Sequence, residues 1–169
     1  MRDFEKSNEI YKILSEAIPE GIIVINKEQK IVSANKHASD LFGYEVGELV
    51  GKPLSILIPN SYRKAHIVHV SGFYRNHEKR RMAEGRQLFG LRKNDQTFPL
   101  EVGLNPFTVY GNTYTLALVI DITKRKKIEE SQTMKTAALE AALNGIVITD
   151  AQREDNPVIY YNPTFENIT

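Results

Sequence analysis

Residues 85–123 read GRQLFGLRKNDQTFPLEVGLNPFTVYGNTYTLALVIDIT, from Gly85 to Thr123. Phe98, Leu100, Val102 and Leu104 alternate with Thr97, Pro99, Glu101 and Gly103, the two-residue period of a half-buried strand. Lys93-Asn94-Asp95-Gln96 precedes this segment and Tyr110-Gly111-Asn112 follows it. Both are turn signals, since Asn, Asp and Gly tolerate the left-handed region. The stretch therefore predicts three antiparallel strands joined by two short turns. In the last of them Tyr114, Leu116, Leu118, Ile120 and Ile122 share one face, while Thr115, Ala117 and Val119 make the other, which is also largely apolar. Such a strand needs covers on both sides of its sheet. The body of the domain supplies one. An added helix or a second copy of the chain supplies the other.

Upstream, residues 3–18 predict an amphipathic helix, with Phe4, Tyr11, Leu14 and Ile18 at helical spacing and Ile10, Ile13 and Ala17 widening the stripe. Pro19 ends it. Gly21–Asn26 reads as a buried strand, Lys27–Lys30 as a hairpin turn and Ile31–Asn35 as the returning strand. Asn35 is placed to N-cap a helix over Lys36–Phe42, closed by Gly43. Val46–Val50 suggests one more turn of helix, and Ser61 opens a helix reaching about Asn76. The sum is an α+β domain: a five-stranded antiparallel sheet with helices between its second and third strands. Ile22, Val24, Phe42, Phe73, Leu100, Val102, Leu116 and Leu118 are expected to share one core.

Downstream, Thr123 is a candidate N-cap for a helix over residues 124–143 with a thin apolar stripe, Ile128, Met134, Ala138, Leu139, Ala142 and Leu143. The chain then repeats itself. Glu16–Asn26 (EAIPEGIIVIN) returns as Glu140–Asp150 (EAALNGIVITD), and Ala34-Asn35 has a counterpart in Tyr161-Asn162 if the second hairpin is slightly longer. The expected division is a cap helix (1–18), a domain (19–123), a linker helix (124–143) and the start of a second domain (144–169). This second copy stops before it can bury a complete core. The chain is therefore expected to be a piece of a longer, modular protein.

Composition narrows the class. The chain has no cysteine, which excludes thiolate metal sites and a cysteine-linked chromophore within it. Its net charge is +1, too small for a general pull on nucleic acid. The longest apolar run, Leu116–Ile120, is far short of the roughly 20 residues a membrane span needs, and Met1–Leu14 carries no signal-peptide pattern.

PEGIIVIN, VSANKHASDLFGY, GKPLSILIP, RKNDQTFPLEVGLNPF and VIDITKRKK, in that order, carry a likeness. Residues from about 12 to 126 resemble a PAS sensor domain with its closing PAC strands. Residues 140–169 look like the start of a second PAS domain, and DNPVIYYNPTFENIT is similar to the opening of flavin-binding, light-sensing PAS domains. The resemblance implies a sensory and dimerisation module of the kind found in bacterial histidine kinases and diguanylate cyclases. Asp121-Ile122-Thr123 resembles the exit signature of the family. It would fix the last strand to the outgoing helix, Asp121 by pairing with a base and Thr123 by capping.

No phosphate-cradling loop, kinase nucleotide motif or nucleophile triad is present in the sequence. His66 and His69 share a helix face but lack a third ligand, so no metal site is expected. Tyr62–Leu104 resembles, without a gap, the matching part of oxygen-sensing haem PAS kinases. Arg63 and His66 match the segment with their proximal haem histidine, and Arg86 matches their distal arginine. Gly72, Arg80 and Glu84 depart from the pattern, although Arg80 could still pair with a haem propionate. The alternative for His66 is a partly buried helix histidine in a domain without cofactor. Residues 63–93 hold nine Lys and Arg against Glu78 and Glu84, and few free aromatics accompany them for base stacking. A solvated loop and sheet rim is the expectation.

The reading is thus a non-enzymatic, cytoplasmic sensory module that signals through its C-terminal helix to an effector, a two-component histidine kinase. Its partners are a second copy, joined through Phe4, Tyr11, Leu14 and Ile18, and the downstream domain; nucleic acid is not among them. No cofactor is expected. The alternatives are a haem gas sensor using His66, Arg80 and Arg86, and a dimerisation scaffold without ligand.

Overall fold

The computed structural model describes residues 13–66, 80–81 and 87–168. Two compact units divide the chain, Met1–Thr123 and Lys124–Thr169.

In the first unit, helical residues 13–17 (α1) lead to β1 (Gly21–Asn26) and β2 (Ile31–Ala34). Then come α2 (Lys36–Phe42), a 3-10 turn at Leu54–Leu57 and α3 over residues 60–66. The remaining strands are β3 (Arg80–Arg81), β4 (Leu88–Leu91), β5 (Thr97–Val109) and β6 (Asn112–Asp121). The sheet is antiparallel throughout, in the order β2-β1-β6-β5, and β3 and β4 share the fifth position on the edge of β5. This is the expected α+β, five-stranded architecture.

Local chemistry explains the joints. Tyr110 and Gly111 take φ of 47° and 75° between the paired residues Val109 and Asn112, the left-handed pair that a two-residue hairpin turn needs. Asn35 caps α2 by accepting from the Ala38 N–H, and Gly43 ends it at φ 75°. The suggested helix at Val46–Val50 is instead a chain of tight turns, because Gly47 sits at φ 84° and breaks the helical run. The returning chain covers the edge strand β2: Ile31 donates to the Lys52 carbonyl at 2.9 Å, and Gly51 donates back to Ile31 at 2.7 Å.

The core lies on the face of the sheet that carries α2. It is built from Ile23, Ile25, Ile31, Ala38, Phe42, Leu49, Leu57, Phe98, Leu100, Ala117 and Val119, with Val102 and Leu104 packed against it. This reverses the expected orientation of β6. Thr115, Ala117 and Val119 point inward, at 1%, 5% and 4% exposure, while Leu116 and Leu118 are only half-buried on the opposite face. Ile22 and Val24 are buried, but they pair with Leu118 and Leu116 on that opposite face. Phe42, Leu100 and Val102 join the core as expected, and Phe73 lies outside the described residues. A two-residue period separates the faces of a strand without saying which one looks inward. Where both are apolar, the pattern leaves the choice open, and packing in the folded chain makes it. The close approach of α2 to β1 favours small groups: a Cβ added at Gly21 would stand 3.2 Å from the Ala38 Cα.

The second unit is α4 (Thr123–Glu140, whose first residue closes the first unit), β7 (Val147–Thr149), β8 (Val158–Tyr161) and α5 (Pro163–Ile168). β7 and β8 form an antiparallel hairpin. None of the residues of α4 is buried.

Candidate functional site

A linked set of polar groups sits where β6 leaves the sheet. Arg92 follows β4 in a turn closed by bonds between Arg92 and Gln96 and between Asp95 and Arg92, with Asp95 at φ 64°. Its guanidinium lies 3.9 Å over the Phe98 ring, a cation–π contact. One nitrogen donates to the Leu41 carbonyl near the end of α2, and another donates to Asp121 Oδ2 at 2.8 Å. Asp121 Oδ1 accepts the Thr123 N–H at 2.8 Å. Burial pushes the Asp121 carboxyl up, but the hydrogen bonds from Thr123 and Arg92 prevail and hold it below its ordinary value. The expected base is therefore Arg92. The expected cap is corrected: Thr123 is the first helical residue, and Asp121 is the side chain that satisfies its N–H. A carboxylate suits this place, since a helix N-terminus carries partial positive charge.

A second tie fastens the same turn. Lys93 donates its backbone N–H to the Phe42 carbonyl at 2.9 Å, and its Nζ meets both Glu48 oxygens at 2.8 Å. Lys52 reaches Glu48 Oε1 at 3.0 Å, and both lysines stand over the Tyr44 ring, at 5.0 and 5.4 Å. Lys93 first, then the Glu45 N–H and Lys52, hold the Glu48 carboxyl down at about 2, and Glu48 in turn raises Lys93. Arg63 donates Nε to the Ile58 carbonyl at 2.9 Å. Arg63, Arg92 and Lys93 of the basic run are thus engaged within the fold.

Asn35 does more than cap. Its Oδ1 accepts from the Ile22 and Ala38 N–H groups, each at 2.9 Å, and its Nδ2 donates to the Ser15 carbonyl at 2.8 Å and the Glu20 carbonyl at 3.0 Å. One buried amide therefore holds α1, the chain before β1, β1 itself and α2. Asn162 repeats the pattern in the second unit. Its Oδ1 accepts from Ile146 at 2.8 Å and Phe165 at 3.1 Å, and its Nδ2 donates to the Leu139 carbonyl at 3.1 Å and the Asn144 carbonyl at 3.0 Å. The sequence signalled this in the matched Ala34-Asn35 and Tyr161-Asn162 pairs, but the spacing alone did not disclose the bonds.

Of the other sequence-derived residues, His66 is half-buried in α3, and Arg80 stands opposite Leu104 of β5. Arg86, Phe4 and Tyr11 lie outside the described residues. Leu14 is 60% and Ile18 37% exposed.

Residues 19–124 match the family model described as PAS domain. The chain belongs to the PAS domain family. The sensor protein FixL of Bradyrhizobium diazoefficiens is 27% identical over 66% of this chain and 22% of its own length. The cell-division control histidine kinase PdhS of Brucella ovis is 30% identical over 79% of this chain and 13% of its own. The chain thus spans less than a quarter of either relative. Among solved structures, the PAS domain of an HTR-like protein from Haloarcula marismortui superposes with a TM-score of 0.60, covering 72% of this chain and 96% of that one, at 23% identity. That likeness is one of fold.

Proposed function

We propose that this chain is a sensory and dimerisation module that hands a signal to a downstream effector through α4, and that the effector is a two-component histidine kinase. The observation that carries the reading is the Arg92–Asp121–Thr123 chain of bonds, which ties the end of α2, the core ring Phe98 and the first N–H of α4 into one unit. A change of packing around Phe98 would reach α4 through two charge-assisted hydrogen bonds. Likeness to a sensor protein and to a histidine kinase supports the choice of effector. The module itself is read as non-enzymatic and cytoplasmic; among the described residues, no helix is long and apolar enough to cross a membrane.

Residues 144–169 are read as the start of a second PAS domain. The repeated asparagine bonds support this, as does the match between Gly21 beside Ala38 and Gly145 beside Phe165: in each pair a Cβ on the glycine would lie 3.2 Å from its neighbour's Cα. Dimerisation is read at the stripe of Phe4, Tyr11, Leu14 and Ile18 together with the outer sheet face. The exposure of Leu14 and Ile18 supports it, as do Leu116, Leu118 and Ile120 on a face away from the core. Two-fold pairing would send both copies of α4 out on the same side.

The test places a spin label at Met134, which is 75% exposed on α4, and measures distances between copies by double electron–electron resonance. One narrow distance is expected in the parent and a broad distribution in Asp121→Ala. No dipolar signal would refute dimerisation, and an unchanged distribution in Asp121→Ala would refute transmission through Asp121.

A second reading, a haem gas sensor, rests on the likeness around His66 and on the half-burial of that imidazole in α3. His66 would be the axial ligand, and Arg80 and Arg86 would meet the propionate and the gas. Titration with haemin decides: a Soret band abolished by His66→Ala establishes this reading, and no band removes it.

A further inference from the structure

We propose that Asn162 is a receiving clip, a positioning residue that fastens the end of α4 to the strand and helix that follow, so that movement of α4 is delivered to β7 and α5. The inference rests on the reading of α4 as the signal path.

Burial makes the first argument. Among the described residues of 124–168, Asn162 alone is buried, at 0% exposure. The hairpin around it is open, with Ile159 62% exposed, and α4 buries nothing. Apolar packing therefore does not hold the end of α4; hydrogen bonds do. The last carbonyls of a helix have no partner within it. Here Asn162 Nδ2 donates to the Leu139 carbonyl at 3.1 Å, and just past the end of the helix the Thr164 hydroxyl donates to the Ala142 carbonyl at 2.7 Å. The same Asn162 holds the Ile146 N–H at the start of the hairpin and the Phe165 N–H in α5. A side chain with all its donor and acceptor directions engaged and no water access is costly to disturb.

Symmetry with the first unit makes the second argument. Asn35 binds Ser15, Glu20, Ile22 and Ala38. Asn162 binds Leu139, Asn144, Ile146 and Phe165. The first three partners of each set are separated by 124 residues (15 to 139, 20 to 144, 22 to 146). The asparagines and the helix N–H groups are separated by 127 (35 to 162, 38 to 165). The second hairpin is thus three residues longer, and every bond is kept. Asn35 accordingly receives α1 as Asn162 receives α4. The first unit has a receiving clip at Asn35 and a sending clip at Asp121, the layout of a relay that can be joined in series. α4 is gripped by a side chain at each end, Asp121 on its first N–H and Asn162 on one of its last carbonyls.

Asn162→Asp separates the two halves of the clip. A carboxylate still accepts from Ile146 and Phe165 but cannot donate to Leu139, and its charge is repelled by a helix C-terminus. The experiment records amide resonances of the whole chain in the parent, Asp121→Asn, Asn162→Asp and the double variant. Asp121→Asn is expected to displace the amides of Ile146–Thr149 in the parent background. That displacement should be lost in the Asn162→Asp background while Ile146 and Phe165 stay protected from exchange. Equal displacement in both backgrounds overturns the clip. No displacement in the parent sinks the reading of α4 as the signal path, and the clip with it. If Asn162→Asp disorders the hairpin, Asn162→Ser takes its place: its hydroxyl can still accept from the Phe165 N–H as a helix cap but is too short to reach the Leu139 carbonyl. A smaller displacement supports the clip, and an undiminished one overturns it.

Discussion

The hairpins β1–β2 and β7–β8 are held by the same set of side-chain bonds but differ in burial. Ile23 and Ile31 of the first are 1% and 0% exposed, whereas Val147 and Val158, their counterparts in the repeat, are 37% and 56% exposed. β1 is covered by β6 on its second edge and by the core beneath, and β2 is covered by the loop through Gly51–Leu54. The polar frame of this motif is therefore set locally, by one asparagine and its neighbours in sequence. The apolar burial comes from partners far along the chain. The frame orients a hairpin, and only the distant strands make it stable.

Core truncation separates the two regions most sharply. Ile23→Ala removes a buried side chain and should cost about 2–5 kcal/mol of unfolding free energy, while Val147→Ala at the matching exposed place should stay within about 0.5 kcal/mol. Denaturant unfolding followed by circular dichroism measures both. Equal costs would mean that the second hairpin has a core of its own.

The glycines give a smaller contrast. A Cβ at Gly21 or at Gly145 meets the backbone of the facing helix at the same 3.2 Å. α2 is fixed by Ala38 and Phe42 in the core, whereas α5 buries no residue and can move aside. Gly21→Ala should cost about 1–3 kcal/mol and Gly145→Ala clearly less, read from the same unfolding curves.

The smallest effect is one of pH. Glu48 is held at about 2, against an ordinary 4.5, and Asp121 is also lowered. A carboxyl whose folded pKa is depressed adds stability above its unfolded pKa and loses it as pH falls through the folded value. The first unit should therefore weaken as pH drops from about 4.5 towards 2. The Glu48 and Asp121 side chains keep 26% and 27% of their surface exposed, so solvent still screens both and the effect is modest. Glu48→Gln should flatten the midpoint of thermal unfolding over that window, and an unchanged slope would show that the Lys93 bond adds nothing.

Much of this fold was legible in the sequence where local chemistry decides it. Asn35, Gly43 and Gly111 act as their residue types predict, whereas Tyr110, at φ 47°, takes a left-handed place that its type does not favour. The inward face of β6 was not legible, because Leu116 and Leu118 outweigh Thr115 and Ala117 in hydrophobicity, while it is Thr115, Ala117 and Val119 that the folded chain buries. Asp121 could be expected to pair with a base, yet its partner lies 29 residues away among several other arginines and lysines. Thr123 reads as a cap until the carboxylate two residues earlier is seen to occupy that role. Asn162 was visible as half of a repeat; its burial was not, since a polar amide is buried here while the apolar Val158, Ile159 and Tyr161 before it stay exposed.

The central claim is that Arg92, which shares its fixed carboxylate with α4, controls how firmly that helix is attached. Hydrogen exchange at the Thr123 amide tests it most directly. Arg92→Ala leaves Asp121 and Thr123 in place but removes the guanidinium that orients the carboxylate. A bond to a charged group contributes about 1.5–3 kcal/mol, so exchange at Thr123 should quicken roughly tenfold or more while Ile23 and Ala117 remain protected. Unchanged exchange at Thr123 in Arg92→Ala would contradict the account.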